Sequence, residues 1–462
     1  MATWSRVHIS ELPDDIRFDA EYYQPHHLAL DSVLQKRNAK KWGDLDGTFV
    51  VGPFGSAFLV ENYIPFSNYR YIRGRDVKPF MLLDDQNAYM PEEHFRRLQK
   101  YEVAAGDLLI SVVGTLGNAA IVTEKEGRCV FSCKSTAYRS REVDSYYLCA
   151  YLNSGIGQEY LKRAIRGHVQ TGLNLNDLKA IPIVIPSRKE SELVSSLVNR
   201  AFTRHRRANE LFLEAEAIFA TETGLPTINL TEDLTYIRRF RDTRKARRLE
   251  AEFFKPKYRR TTEALEKTKP IKIKTIGDSL EFLTNGHTPL RHDLSKGEVL
   301  FLTAEHVFDF RLNFETEKRI LKEHHQGELK RTRLRIGDVL VTIKGKVGNA
   351  AVVAEVSSPS NINQDVALLR LKDHLPSYYL VAYMNSIAGR MFTRQYATGQ
   401  INPFLGLGNL RMLPLPIYDS KTMQRIAKKT LDTIQKAESF GQESRYLLDS
   451  AKRKVEEMVI KQ

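Results

Sequence analysis

The sequence predicts an α/β (α+β) chain: two similar globular domains separated by a long antiparallel two-helix coiled-coil spacer. Three observations carry that expectation. The chain states nearly the same pattern twice, RFDAEYYQP at 17–25 returning as RLEAEFFKP at 248–256, 231 positions later. Each copy alternates β-like and helical segments in the same order. Each copy also ends in a long helical pattern with an apolar seam. The repeat continues to the end of each half, its register moving by one residue: AAGDLLISVVGTLGNAAIV (104–122) becomes RIGDVLVTIKGKVGNAAVV (335–353), and YYLCAYLNS (146–154) becomes YYLVAYMNS (378–386). LKAIPIVIP (178–186) becomes LRMLPLPIY (410–418). Expected boundaries are 1–186 for the first domain, 187–222 for the central spacer helix, 223–419 for the second domain and 420–462 for the C-terminal spacer helix.

Taken in order, each half opens with a short helix from Pro25 or Pro256, because proline suits a first helical turn. Short turn-punctuated strands follow: TFVVGPFG and YIRGRDV in the first copy, EFLTNG and VLFLTAEHV in the second. GDLLISVVGTLGNAAIV and GDVLVTIKGKVGNAAVV read as strand, glycine-rich turn, strand. A single helix is expected next in each copy, YYLCAYLNSGIGQEYLKRAI and YYLVAYMNSIAGRMFTRQYA, then a loop containing Thr-Gly and a proline-flanked closing strand. In the first long helix Val194, Val198, Ala201, His205, Ala208, Phe212, Ala215 and Phe219 step by four and three. In the second, Met423, Ala427, Thr430, Ile434, Ala437, Gly441, Ser444, Leu448, Ala451, Val455 and Met458 do the same. Small seam residues suit close pairing, and His205 is read as a packing or register residue. About 33 helical residues at ~1.5 Å rise span ~50 Å, on the order of one to one and a half turns of B-DNA.

Seventy Lys and Arg against 56 Asp and Glu give a net charge of +14 and a pI near 9.4, which favours polyanionic partners. The basic residues cluster: Arg70, Arg73, Arg75 and Lys78; Arg204, Arg206 and Arg207; Arg238 to Arg248; and Lys330, Arg331, Arg333 and Arg335. These runs lack the apolar face of an interfacial helix, and no apolar stretch reaches the ~18 residues of a membrane span, so no membrane partner is expected. The N-terminal sequence has no secretory pattern, and three cysteines confined to the first half suit a reducing cytoplasm. No phosphate loop, dinucleotide loop, nuclease carboxylate set or Cys–His pair recurs. Asn402-Pro403-Phe404 superficially matches an amino-methyltransferase motif, but its second proline and a glycine-rich cofactor loop are missing. His26–His27 and His324–His325 read as isolated surface pairs. Catalytic and metal residues are therefore expected to be none.

Candidate recognition residues sit in the segments that differ between copies. Arg, Gln and Asn make bidentate contacts to base edges. In the first copy they are Arg70, Arg73, Arg75, Lys78, Lys134, Arg166, His168, Gln170 and Asn174. In the second they are Arg331, Arg333, Lys344, Lys346, Arg394, Gln395, Gln400 and Asn402. A frame that repeats while its loops diverge suits two modules reading two different sequences.

The duplicated GDLLIS…GTLGNAAIV, TGLNLNDLKAIPIVIPS and trailing heptad helix resemble the specificity subunit of type I restriction–modification systems. The second copy shows GDVLVTIKGKVGNAAVV, NINQDV and its own TG loop in the same order. The resemblance covers essentially the whole chain and departs where SCKS (132–135) stands in place of an NQD-type segment. It implies two target-recognition domains, each reading half of a bipartite double-stranded DNA target. It further implies a non-catalytic subunit without a cofactor of its own that docks two methyltransferase (modification) subunits, which bind S-adenosylmethionine. Restriction/translocase subunits using ATP and Mg are a further implied partner. Three other readings stay open: a methyltransferase or nuclease with a degenerate site, an RNA-binding or purely structural adaptor built from tandem modules, and a DNA-recognition subunit of another modification or anti-phage defence complex.

Overall fold

A computed structural model describes residues 4–8, 19–37, 39–166, 171–289, 297–399 and 401–460. The chain divides into two compact units, Met1–His205 with Gln442–Gln462, and Arg206–Gly441. Each unit therefore takes half of each long helix.

In the first unit the strands are β1 (Lys40–Lys41), β2 (Gly47–Val51), β3 (Tyr69–Ile72), β4 (Ala88–Tyr89), β5 (Glu102–Val103), β6 (Leu108–Ser111), β7 (Ala119–Ile121), β8 (Arg128–Phe131), β9 (Ser135–Ser140) and β10 (Pro182–Ile183). They form sheets ordered β2-β9-β6-β7 and β4-β3-β8-β5, with β1-β10 as a small ribbon. The second unit has β11 (Lys272–Thr275), β12 (Leu280–Asn285), β13 (Val299–Leu302), β14 (Arg319–Ile320), β15 (Val339–Thr342), β16 (Ala350–Val352), β17 (Ser360–Ile362), β18 (Val366–Leu371) and β19 (Pro414–Ile417). Its sheets run β12-β18-β15-β16 and β14-β13-β17, with the ribbon β11-β19. The two architectures match, as the repeat predicts, except that β5 has no counterpart strand among the described residues of the second unit. In each, the pairing β3/β8 or β13/β17 is parallel within otherwise antiparallel sheets.

The residues that repeat are the ones that close buried hydrogen bonds. Asp107 of the first GD motif takes Arg139 at 2.9 and 2.6 Å, and Asp338 of the second takes Arg370 at 2.8 and 3.2 Å. Tyr147 and Tyr151 donate to the carbonyls of Val184 and Pro182, and Tyr379 and Tyr383 to those of Pro416 and Pro414. Asn153 and Asn385 each donate to the first residue of the strand after the glycine-rich turn, Ala119 and Ala350, at 2.8 Å. A buried polar group must find a partner or lose roughly 1–3 kcal/mol. The tyrosines thus clamp the short closing segment in each unit.

The single helix expected after each hairpin is two. Ser145–Asn153 is followed by Gly155–Arg163, and Ser377–Asn385 by Ile387–Tyr396, with extended Ser154 and Ser386 between. Each serine hydroxyl caps the second helix by accepting from the amide of Gly157 or Gly389. Any Cβ at those glycines would lie 2.1 Å from the carbonyl oxygen of Tyr151 or Tyr383. The serine cap and the bare glycine let the second helix turn against the first.

The long helices are Arg188–Thr223 and Ser420–Ile460. Within the first unit they run antiparallel: Ser444 donates to the Ala201 carbonyl at 2.8 Å, Arg204 pairs with Glu443 at 2.9 Å, and Val194 and Val198 share a core with Ala451, Val455 and Val459. Within the second unit Glu222 takes Arg425 and Lys429 at 2.9 and 2.8 Å, and Ala215 and Phe219 pack with Met423, Ala427 and Ile434. The expected seam holds at most of its positions and fails at His205, which is exposed. Leu211 is buried where Phe212 is only half-buried, and Ile218 joins Phe219 in the core. The seam widens there because each helix also packs against its own domain, which a narrow two-helix seam does not require.

Candidate nucleic-acid interface

Parallel neighbours send the chain off the same edge, and that places the candidate loops together. In the first unit β3 runs into Arg73–Lys78 and β8 into Ser132–Lys134, the Ser132 amide bonding the Ile72 carbonyl at 2.9 Å. Lys134 then accepts at its carbonyl from the Val112 amide, in the glycine-rich turn, at 2.9 Å. Val112 in turn accepts from Leu173 at 3.0 Å, joining the Thr-Gly loop, and Val113 bridges to Gly172. Gly52 and Gly74 press on the same strip: added Cβ atoms would meet the Ser132 carbonyl oxygen at 2.4 Å and the Lys134 Cβ at 2.6 Å. The segment 132–134 is thus a hub for four loops.

The second unit repeats this wiring. Asn363, after β17, bonds the Leu302 carbonyl at 2.9 Å; Asp365 accepts from Ile343 at 2.9 Å, and Ile343 from Leu405 at 2.9 Å. Thr398 and Phe404 exchange amide–carbonyl bonds at 2.8 Å, and Lys344 bridges to Phe404. Gly286 presses on Ile362 and Asn363 as Gly52 does on Ser132.

Charge does not repeat. The Arg73, Arg75 and Lys78 run of the first copy corresponds to Thr303, Glu305 and Phe308 in the second, while Val113 and Thr115 at the first turn correspond to Lys344 and Lys346 at the second. Positive charge has moved from one loop of the edge to another. Two surfaces built alike therefore present different fields to a polyanion.

The candidate residues separate into two groups. Arg75, Lys78, Lys134, Arg331, Lys344, Lys346, Arg394 and Asn402 are exposed. Arg70 is corrected to a structural residue: it is buried, faces the buried side chain of Glu126, and donates to the Leu83 carbonyl at 2.5 Å. Burial pushes its guanidinium below its ordinary value. Arg73 clasps buried Asp76 at 2.9 Å through two nitrogens, and Arg166 clasps Asp177 at 2.7 Å. Asn174 caps the helix Leu175–Ala180, Arg333 donates to the His325 carbonyl, and Gln395 to that of Phe253. Loop position and residue type concealed these internal partners. His168, Gln170 and Gln400 lie outside the described residues.

Two features escaped the sequence reading. Phe54 stands 88% exposed beside the hub, and a cleft of about 730 Å³ in the second unit is lined by Arg248, Phe253, Lys255, Tyr258, Arg394 and Thr398. The repeated RLEAEFFKP motif was the available signal for the cleft. Next to it, hydrogen bonds from Lys255 and then Lys257 hold Glu232 down to about 2.

His26 and His27 are not an isolated surface pair: His27 is buried, and both reach Glu159, at 2.9 and 3.4 Å. His324 meets Glu328 at 2.6 Å, and His325 bonds Asn361 at 2.5 Å. Burial pushes the Cys129 thiol up to about 12 and raises Cys149 as well, so both stay protonated and unreactive at neutral pH. Among the described residues no helix is long and apolar enough to cross a membrane.

No protein-family model matches the chain, and no curated protein does. Among solved structures it is similar to the S subunit of a type I restriction–modification system from M. genitalium, at 12% identity and a TM-score of 0.43, over 90% of this chain and 96% of that one. It is also similar to a chain described under complex assembly and conformational transition of the type I R-M system, at 13% identity and a TM-score of 0.35, over 89% and 97%. The HsdS subunit from Thermoanaerobacter tengcongensis overlaps at 13% identity and a TM-score of 0.30, over 89% and 96%.

Proposed function

We propose that this chain is a non-catalytic DNA-specificity subunit of a type I restriction–modification complex, each unit reading one half of a bipartite duplex target. The observation that carries the reading is the hub: the same backbone wiring gathers the divergent loops twice, once around 132–134 and once around 363–365, with exposed cations on both. A repeated frame with unlike charged edges suits two half-sites of unlike sequence. The unbroken helices Arg188–Thr223 and Ser420–Ile460, antiparallel within each unit, suit a spacer between the readers. The partners of this reading are double-stranded DNA and methyltransferase subunits carrying S-adenosylmethionine, with an ATP- and Mg-dependent motor nuclease where the complex restricts, all in the cytoplasm.

The test is a single-molecule methylome of the source cell with and without the gene, followed by exchange of residues 43–186 for those of a related chain. Loss of adenine methylation at a two-part motif, with one half altered by the exchange, is the expected result. An unchanged methylome, or both halves altered together, overturns the reading.

A further inference from the structure

Phe54 is the large side chain that the fold leaves most conspicuously without cover near the hub, and its backbone is held on both sides. Gly52 sits on Ser132, so close that a Cβ would lie 2.4 Å from its carbonyl oxygen, and Gly55 is oriented so that a Cβ would lie 3.6 Å from the Cys133 Sγ. Pro53 restricts the entry to Phe54, and the Phe54 carbonyl accepts from the Ala57 amide at 2.9 Å, starting the single turn Gly55–Ala57. The ring is 88% exposed, with Val51 at 50% and Val60 at 74% nearby in the chain. A benzyl group fixed in water on an anchored loop keeps apolar area that a partner is able to cover.

The surroundings select that partner. Lys134 is the next residue of the strip that holds the loop, Gly74 lies against the Lys134 Cβ, and Arg75 and Lys78 follow Gly74; all three cations are exposed. An aromatic ring on a loop anchored to the same strip as three exposed cations matches stacked bases flanked by phosphates. An apolar protein surface would not call for those cations.

The second copy lacks the ring. Counting from the matching glycines, Gly52 and Gly286, Phe54 corresponds to Thr288, whose hydroxyl is turned onto Gln364 at 2.8 Å. We infer that Phe54 inserts between base pairs of the half-site read by the first unit, unstacking one step, and that Thr288, at the matching position of the second unit, does not. The inference rests on the DNA-reading proposal above and adds an asymmetry which that proposal does not require.

The experiment walks 2-aminopurine through both half-sites of the methylome-defined duplex, bound by the full chain with its co-purified methyltransferase subunits. Expected is a severalfold fluorescence rise at one step of one half-site, abolished by Phe54→Ala, retained by Phe54→Trp, with affinity falling tenfold to a hundredfold in the alanine variant. The ring is exposed, so an unchanged melting curve should accompany the loss. Base extrusion by a methyltransferase subunit persists in Phe54→Ala and is subtracted by that comparison. A Phe54→Ala complex with wild-type fluorescence and affinity overturns the wedge, as does one that binds DNA normally but loses a protein subunit. A wild-type complex without affinity for the duplex instead overturns the recognition reading itself.

Discussion

Replacing Lys344 and Lys346 with alanine should weaken duplex binding without weakening the fold, and replacing Arg70 with methionine should do the reverse. The two lysines are exposed on the turn between β15 and β16. If each neutralises one phosphate, each contributes about 0.9 to the slope of log K against log salt. At 0.1 M salt, relative to 1 M, that is roughly eightfold per lysine and on the order of sixtyfold for both. The slope should therefore become shallower by about 1.8 in the double variant. Arg70 and Glu126 have side chains only 5% and 6% exposed. Removing the guanidinium strands a buried carboxylate, at a cost of about 3 kcal/mol or more, or a melting shift of roughly 6–12 °C for a unit of this size. Fluorescence anisotropy across a salt series, beside calorimetric melting of the same preparations, separates the two effects. A lysine variant with the wild-type salt slope would refute the assignment of that turn to phosphate. An Arg70 variant that melts normally yet shows a shallower slope would return Arg70 to the interface.

Three further outcomes follow from the geometry. Inserting one heptad after Ala208, with a matching heptad in the C-terminal helix, adds ~10 Å of helix and should widen the gap between half-sites by about two or three base pairs; a methylome with the original gap refutes the spacer. Tyr383→Phe leaves the Pro414 carbonyl without its hydroxyl donor and should cost roughly 1–3 kcal/mol. Hydrogen exchange should then speed up across 414–417 and leave 182–183 untouched, and equal acceleration of both segments would contradict two separately clamped strands. Burial, then the neighbouring charges of His26 and Arg163, lowers the His27 pKa, against the opposing pull of Glu159 and Asp31. A lowered folded value means the unfolded chain takes up the proton first, so this contribution is complete above about 6.5 and declines as pH falls below it. His27→Gln should flatten that acid-side decline in melting temperature, and an unchanged pH profile would remove His27 as its source.

The sequence was most informative where a residue's role is local or periodic. Pro25 and Pro256 start helices where expected, the glycine-rich turns join strands, and the small-residue seams lie on helices that pair antiparallel within each unit. Such features depend on backbone dihedrals and on repeats of two or 3.6 residues, which neighbours in sequence already specify. The divided helices were legible in principle, since Ser154 and Gly157 recur as Ser386 and Gly389, but an apolar helical period masked the cap.

Tertiary structure decided which charges face outward. Arg70, Arg73 and Arg75 look alike in one basic run, yet Arg70 is buried against Glu126 from 56 positions along the chain, Arg73 clasps Asp76, and Arg75 remains exposed. A partner as distant as Glu126 leaves no mark on local composition, although Asp76 lies within the run itself. The same holds for the hub, where parallel pairing of β3 with β8 and of β13 with β17 brings four loops to one edge. The repeat by itself determined that there are two alike frames and that their loops differ. Only the folded chain, through strand order and long-range ion pairs, decided which loop residues hold the frame and which are left to meet a partner.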